Sequence, residues 1–200
     1  RMVLFVKQNG ASDYAGFDDV QLQGAAIGGT LSIVINEVDA DTPGTDALEF
    51  IELYDGGVGN SSLDGLVVVL YNGSNNLSYN AIDLDGYTTN ENGYFVIGSA
   101  LVANVDLAAF TTNGIQNGAD AAALYTGDDT NFPSGTAVVV DETLLDALVY
   151  DTNDSDDLDL LILLNSGEAQ VNEDGMGDKD NHSMQRIPNG QGGARNTDTY

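Results

Sequence analysis

The chain contains no cysteine and no tryptophan, and it has only three prolines, one histidine and five Lys and Arg residues. Without cysteine, a disulfide framework and a thiolate metal site are excluded. The single histidine, His182, has no second histidine or cysteine to complete a zinc site or a catalytic triad. No apolar run is long enough to cross a bilayer. Carboxylates are therefore the main candidate functional groups.

The shortage of basic residues leaves a formal net charge of −27, because 32 Asp and Glu face only five Lys and Arg. Self-repulsion on this scale lowers stability unless cations screen or bind the carboxylates. Contacts with DNA, RNA or anionic lipid need Lys and Arg, so direct nucleic-acid binding and membrane insertion are disfavoured. An acidic, lysine-poor surface favours a marine or otherwise saline source. With 42% hydrophobic residues, the chain can still bury a core.

Short apolar runs separated by Gly, Asn and Asp turns describe an all-β protein. These runs predict strands, and their number and spacing favour a β-sandwich or barrel. The runs are 31–38, 49–54, 64–71, 79–84, 94–98, 121–126, 137–141, 144–150 and 158–164. Helix is scarce: residues 101–110 suit a short helical turn, and 143–148 fit either a helix or a strand.

The stretch from Ile33 to Tyr54 predicts a strand pair around an acidic turn. The turn contains Pro43 and Gly44, which favour a chain reversal. Alternation predicts that one set of side chains faces the core and that Phe50 and Tyr54 lie on the opposite face of their strand. The predicted inward residues are Ile33, Ile35, Ile51 and Leu53.

Three acidic clusters offer hard oxygen ligands of the kind that calcium prefers. The candidate metal ligands are Asp39, Asp41 and Asp46 in the first cluster, Asp151, Asn153 and Asp156 in the second, and Asp174, Asp178 and Asp180 in the third. The second cluster begins like an EF-hand loop. It has Asp156 where that loop needs Gly and Ile162 where it needs Glu, so an EF-hand is excluded. The clusters are either a calcium site of another kind or solvated acidic loops.

No motif indicates catalysis or nucleotide binding. Paired carboxylates carry no information in a chain with 32 acids, and Gly190–Gly193 does not lead from a strand into a helix. We therefore predict that the protein is not an enzyme and bears no catalytic residues. The basic residues Lys179, Arg186 and Arg195 are expected to neutralise carboxylates within the fold.

The chain divides into an N-terminal piece, a linker and a domain. Residues 1–24 hold two predicted strands, 3–8 and 17–23, and residues 25–30 read as a small, Gly-rich linker. Residues 31–200 form the predicted domain. Two strands alone are marginal in water. Residues 1–24 therefore either close a preceding domain or donate a strand to another sheet.

Several motifs in residues 31–200 together resemble the lamin tail domain family in its bacterial, secreted form. They are Ile35-Asn-Glu-Val-Asp39, Glu49-Phe-Ile-Glu-Leu-Tyr54, Ser62-Leu-Asp-Gly-Leu66, Gln116-Asn-Gly-Ala-Asp120, Asp146-Ala-Leu-Val-Tyr150 and Asp180-Asn-His-Ser-Met-Gln-Arg-Ile-Pro-Asn-Gly190. The resemblance implies an immunoglobulin-like β-sandwich without catalytic activity. It also implies further chain after Tyr200 with a Pro-Gly segment. Residues 16–22 resemble the last strands of a galactose-binding-like jelly-roll domain.

The resemblance places such domains in secreted or cell-surface proteins, beside nucleases, phosphoesterases or adhesive modules. The first functional hypothesis is a calcium-stabilised extracellular module for attachment or presentation. The second is an accessory domain of a secreted nuclease or phosphoesterase. The third is a subunit of an extracellular fibre or filament assembled by strand donation. The expected partners are other domains of the same protein, neighbouring copies through β-strand pairing, and surface polysaccharide.

Overall fold

The computed structural model describes residues 33–200 of the chain. The strands in this range are β1 (Val34–Asp39), β2 (Phe50–Tyr54), β3 (Leu66–Asn72), β4 (Leu77–Asp83), β5 (Tyr94–Ser99), β6 (Leu107–Phe110), β7 (Asp120–Thr126), β8 (Leu144–Asp151), β9 (Val171–Asn172) and β10 (Met184–Gln185). The α-helix, α1, is Leu158–Leu164, and 3-10 turns occur at Asp129–Asn131, Glu173–Met176 and Lys179–Asn181. The predicted N-terminal strand pair in 1–24 and the linker 25–30 lie outside the described residues.

The described strands form two five-stranded sheets. Sheet 1 has the order β10-β1-β2-β5-β6, and sheet 2 has the order β4-β3-β7-β8-β9. Neighbouring strands are antiparallel except for two pairs at sheet edges, β5 with β6 and β8 with β9, which are parallel. The sheets pack face to face around a hydrophobic core. The predicted all-β, immunoglobulin-like sandwich is therefore confirmed.

The strand pair β1–β2 has the predicted inward and outward alternation. The four residues predicted to face the core are buried in it: Ile33, Ile35, Ile51 and Leu53. Phe50 and Tyr54 are half-buried on the other face of β2. A β-bulge between Ile35 and Glu37 shifts the register of β1 against β2. Periodicity was sufficient for β2, where buried and half-buried residues alternate, whereas Val34 and Asn36 of β1 are buried as well.

The apolar run 158–164 forms helix α1, so its assignment to a strand was wrong. Asp157 caps the helix, because its carboxylate accepts the backbone N–H groups of Asp159 and Leu160 at 3.0 and 2.9 Å. Leu160, Leu161 and Leu164 have helical spacing and pack in a second core on the outer face of sheet 2. A short leucine run fits either element, and only the cap distinguishes them in sequence.

Two other assignments also differ from the structure. Residues 101–110 form turns that lead into β6 rather than a helix. Residues 137–141 contribute one bridge, between Ala137 and Leu77, instead of a strand. The ambiguous stretch 143–148 lies largely in β8, where Leu148 faces the main core and Ala147 faces the second core. Burial on both faces of β8 obscures its period in the sequence.

Unlike sheet 2, sheet 1 has no α-helix on its outer face in the described part of the chain. A groove of about 530 Å³ lies there, and we call it the sheet-1 groove. Its apolar lining includes Leu48, Phe50, Val96 and Val102. Four carboxylates also line it: Glu37, Asp39, Glu52 and Asp106. Leu48 remains 47% exposed, so the apolar surface of this groove is open to solvent in the described structure.

Two glycines with nearly the same positive φ differ in the space around them. Gly59 has φ +76°, and a Cβ there would lie 2.4 Å from the carbonyl oxygen of Glu91. Gly65 has φ +74° and no atom within 4 Å of such a Cβ. We expect Gly65→Ala to cost about 1–2 kcal/mol from the left-handed conformation alone, and Gly59→Ala to cost clearly more. Urea denaturation of the two variants measures the difference, and equal costs would contradict the steric argument.

Candidate functional site

The first and third acidic clusters meet in the structure. Asp41, in the loop after β1, forms an ion pair with Lys179, whose ammonium also lies 3.0 Å from Asp180. The expected neutralising role of Lys179 is thereby confirmed. Asp46 accepts a backbone N–H of its own loop at 2.9 Å and the side-chain amide of Asn117 at 3.0 Å. These carboxylates are therefore engaged in holding the loop between β1 and β2.

A buried glutamate outside the predicted ligands lies at the junction of these two clusters. Glu173 is 3% exposed, and its two carboxylate oxygens accept the backbone N–H groups of Ala40 and Asp41 at 3.0 and 3.1 Å. Burial raises the pKa of Glu173 to about 8, and the nearby charge of Asp39 adds to this. The sequence shows only an acid in an acidic segment, because the two N–H groups come from a distant loop.

Asp39 is the most crowded carboxylate of the first cluster. Burial raises its pKa to about 7, and the neighbouring charges of Glu37 and Glu49 contribute further. Its Oδ1 atom is buried and has no hydrogen-bond donor among residues 33–200. An unpaired buried acceptor is costly. Asp39 therefore favours either a proton or a cationic group beside it.

Glu49 is fully buried and acts as a clamp on a loop. Its carboxylate accepts the backbone N–H groups of Gly114 and Ile115 at 2.7 and 3.0 Å. Burial raises the pKa of Glu49 to about 6, against the opposing effect of these two hydrogen bonds. The arrangement fixes the chain before β7 against the start of β2, which is an architectural role.

The second predicted cluster is a hydrogen-bonded turn. Asp151 is buried and accepts the backbone N–H groups of Asn153 and Asp154, each at 3.0 Å, and the side chain of Gln170 at 2.7 Å. Asp156 is exposed. No ion pair within residues 33–200 links this cluster to the other two. Asp151 shapes the turn from β8 towards α1.

The remaining members of the third cluster also have local partners. The N–H of Asp174 donates to the side chain of Asn172 at 2.8 Å, and Asp178 accepts the side-chain amide of Asn181 at 2.8 Å. Within residues 33–200, the carboxylates whose oxygens converge to within 4.8 Å as a group of three are others: Asp83, Asp85 and Asp128. The nine predicted ligands are absent from this group.

The group of Asp83, Asp85 and Asp128 has the geometry of a candidate cation site. Asp83 accepts the N–H of Asp85 at 3.2 Å, and Asp85 accepts the N–H of Gly65 at 2.5 Å. Asp128 accepts the N–H of Thr130 at 2.9 Å. These bonds all engage Oδ1, which orients each carboxylate and leaves Oδ2 for another partner. Carboxylate oxygens at such spacing suit calcium, with waters completing the coordination.

The sequence contains only a weak signal for this group. Asp83 and Asp85 alternate around Leu84 at the end of β4, whereas Asp128 belongs to a turn far along the chain. Taken alone, each of these aspartates is explained by the preference of Asp for turns. Only the packing of the turn after β7 beside the end of β4 brings the three carboxylates together.

The most extensively bonded buried charge is Arg186. Its guanidinium is fully buried, lies 3.2 Å from Asp146, and donates to the carbonyl oxygen of Ile35 at 2.8 Å. Asp146 also accepts the N–H groups of Ile35 and Arg195 at 2.8 and 2.5 Å. Burial raises the pKa of Asp146, and the Arg186 charge opposes this. The guanidinium lies over the ring of Tyr200, 4.7 Å from its centroid. The expected pairing of Arg186 with a carboxylate is confirmed by its ion pair with Asp146.

The side chain of Arg195 has a different role from the expected one. It donates to the carbonyl oxygens of Leu164 and Leu163 at 2.5 and 2.9 Å, at the end of α1. The expectation that it neutralises a carboxylate was therefore wrong. The last carbonyls of a helix lack partners within the helix and carry partial negative charge, so a guanidinium is a suitable cap.

Comparisons of the chain with protein-family models, curated proteins and solved structures found no match. Among residues 33–200, no helix has both the length and the hydrophobicity needed to cross a membrane. A functional proposal for residues 33–200 can therefore rest on structural features. These are the two sheets, the loops held by buried carboxylates, the group of Asp83, Asp85 and Asp128, and the open sheet-1 groove.

Proposed function

We propose that this chain is a non-catalytic module of a secreted or cell-surface bacterial protein, stabilised by calcium and used for attachment or presentation. One observation supports this proposal most directly: buried carboxylates bind the backbone of the protein's own loops. Glu49, Asp151 and Glu173 each accept two backbone N–H groups. Acids used in this way fix the architecture of a scaffold. The resemblance of the chain to bacterial lamin tail domains supports the same class of function.

The calcium part of the proposal rests on Asp83, Asp85 and Asp128 rather than on the clusters nominated from sequence. A bound cation is attracted by the carboxylates that ligate it. In a chain with a net charge of −27, the cation also reduces the repulsion among the other carboxylates. Extracellular modules bind calcium with dissociation constants of about 0.1–1 mM. Saline, calcium-containing surroundings would keep such a site occupied.

We expect 10 mM calcium chloride to raise the melting temperature by about 3–10 °C relative to excess chelator at equal ionic strength. A ligand that binds only the folded state stabilises it by mass action. Asp85→Asn should remove most of this shift, because it withdraws one ligand charge while its carbonyl oxygen can still accept the N–H of Gly65. Differential scanning calorimetry measures both effects.

The matched control is Asp156→Asn, which removes an exposed charge from the second cluster. We expect this variant to retain the calcium shift. No shift in the parent protein, or a shift lost in the control and kept in Asp85→Asn, would contradict the proposed site. Hydrolysis of a phosphodiester substrate by the purified chain, abolished by Asp85→Asn, would contradict the non-catalytic part of the proposal.

A further inference from the structure

The sheet-1 groove places two glutamates side by side on neighbouring strands. Glu37 of β1 lies directly opposite Glu52 of β2, and Val96 of β5 lies on the other side of Glu52. Directly opposite side chains on one face of a sheet have Cβ atoms about 5 Å apart, so like charges at such positions repel each other. No Lys or Arg of residues 33–200 lines the groove. This row across the sheet therefore carries negative charge that no neighbouring cation balances.

Neighbouring groups orient the carboxylates of the groove without neutralising them. The hydroxyl of Ser183 donates to Oε1 of Glu37, and the side-chain amide of Asn36 donates to Oε1 of Glu52 at 2.8 Å. Asp106, which also lines the groove, accepts a backbone N–H of β5 through Oδ2 at 2.9 Å. Burial raises the pKa of Glu52, and the charge of Glu37 adds to this against the opposing hydrogen bond from Asn36. The second oxygen of each carboxylate is left to accept from a cationic ligand.

Apolar side chains lie on both sides of this acidic row. Phe50 precedes Glu52 by two positions along β2. Val102 extends the apolar surface there, since Phe50 and Val102 both lie next to Gly98 of β5. In the opposite direction along the sheet, the next row contains Tyr94 of β5, which also lines the groove. The groove thus presents an apolar, an acidic and an aromatic position in succession, about 7 Å apart, which is the spacing of alternate residues in an extended chain.

We propose that the sheet-1 groove binds an extended segment of another protein in which a Lys or Arg has an apolar residue two positions before it and another two positions after it. The basic side chain lies between Glu37 and Glu52, and the two apolar side chains contact Phe50 and Tyr94. The motif is the same in both chain directions, so it fits the groove in either orientation.

Charge complementarity selects this occupant. A basic group between the two glutamates forms charge-assisted hydrogen bonds and removes their repulsion. A second copy of this chain would instead bring a further net charge of −27 to the surface. The inference rests on the attachment part of the proposed function and deepens it, because it gives the partner a chemical identity.

Titration of the isotope-labelled 200-residue chain with two peptides tests the proposal. The probe is acetyl-Gly-Thr-Ile-Thr-Arg-Thr-Ile-Thr-Gly-amide, in which Arg and both Ile share one side of the extended peptide. The control is acetyl-Gly-Thr-Ile-Arg-Thr-Thr-Ile-Thr-Gly-amide, which has the same composition and charge but carries Arg on the opposite side. We expect the probe to shift the amide signals of Glu52 and Val96 and to leave that of Val149 in sheet 2 unchanged. The control should bind about five- to tenfold more weakly, because it cannot make the apolar and the charged contacts together.

Two variants of the chain test the role of the acidic row. Glu52→Gln removes one charge from the row and keeps a side-chain oxygen that can accept from Asn36. We expect it to weaken binding of the probe about five- to tenfold. Glu142→Gln removes an exposed charge from the turn before β8, outside the groove, and should change the affinity less than about twofold.

Equal affinity for the probe and the control peptide would overturn the proposal, because the attraction would then come from net charge alone. Equal weakening by Glu52→Gln and Glu142→Gln, or the absence of shifts at Glu52 and Val96, would also overturn it. Shifts of these amides on concentrating the chain without peptide would identify a second copy as the occupant, and shifts with cellohexaose but not with the probe would identify a glycan. The calcium shift is measured without peptide, so failure of this inference and failure of the calcium proposal are distinguishable.

Discussion

Arg186→Met is expected to lower the free energy of unfolding by about 3–5 kcal/mol, the cost typical of removing one partner from a buried ion pair. The variant leaves Asp146 as a buried charge with backbone donors only, and it removes one of the two donors to the carbonyl oxygen of Ile35, the other being the hydroxyl of Tyr200. It also removes the cation above the ring of Tyr200. Equilibrium urea denaturation gives the free energy, with an unchanged slope as evidence of an unchanged folded state.

Lys179→Met is the matched control, because it removes the basic partner of a more exposed ion pair. Its cost should stay within about 1 kcal/mol, since solvent screens that pair. In the double variant Arg186→Met with Asp146→Leu, part of the lost stability should return, because the uncompensated charge is gone. A cost for Arg186→Met as small as that of the control, or a double variant with the summed costs of the single variants, would contradict this account.

The second large effect is a loss of stability as the pH rises, which Glu173→Gln should suppress. The pKa of Glu173 is about 8 in the folded protein against an ordinary value of 4.5. The folded state therefore holds this proton more tightly than the unfolded state does. Stability is fully present below about pH 4.5 and falls as the pH rises to about 8.

A displacement of the pKa from 4.5 to about 8 corresponds to at most about 5 kcal/mol, at about 1.4 kcal/mol for each pH unit. Asp39 interacts with Glu173, so the two carboxyls titrate as a pair and their effects are not additive. Glutamine cannot ionise, but its NH2 group cannot accept the N–H that one oxygen of Glu173 accepts. Glu173→Gln should therefore be less stable than the parent at pH 5 and should lose less stability between pH 5 and pH 9, as measured by urea denaturation across this range.

Glu91→Gln controls for the general relief of negative charge, because it neutralises an exposed glutamate. Its stability should follow the pH dependence of the parent protein. If Glu173→Gln and Glu91→Gln change the curve equally, the pH dependence arises from the net charge rather than from the buried carboxyl. A calcium-dependent change in the slope of the curve would show that a cation, rather than a proton, occupies the region around Asp39.

The architecture was largely predictable because burial leaves a period in the sequence. Ile33, Ile35, Ile51 and Leu53 alternate with outward residues, so the first strand pair could be assigned together with its buried face. Helix α1 could not be assigned from the sequence, since a run of leucines fits a strand buried on both faces as well as a helix. The capping carboxylate of Asp157 was the one local signal that separated the two.

The functional groups were less predictable because their partners are remote and are mostly backbone. Glu173 binds N–H groups more than 130 positions away, and any residue type could provide those groups. Asp83 and Asp128 meet only through the packing of turns. Counting acids along the sequence finds loops rich in carboxylates. It cannot show which carboxylates accept backbone N–H groups and which lie close together as a candidate cation site.

The network around Arg186 also joins the first strand of the sandwich to residues 184–200. The hydroxyl of Tyr200 donates to the carbonyl oxygen of Ile35 across 165 positions, and β10 completes the edge of β1. Contacts of such long range close large loops, which slows folding. Strand β1 therefore gains its edge partner β10 and the hydrogen bond from Tyr200 only after residues 184–200 have been synthesised.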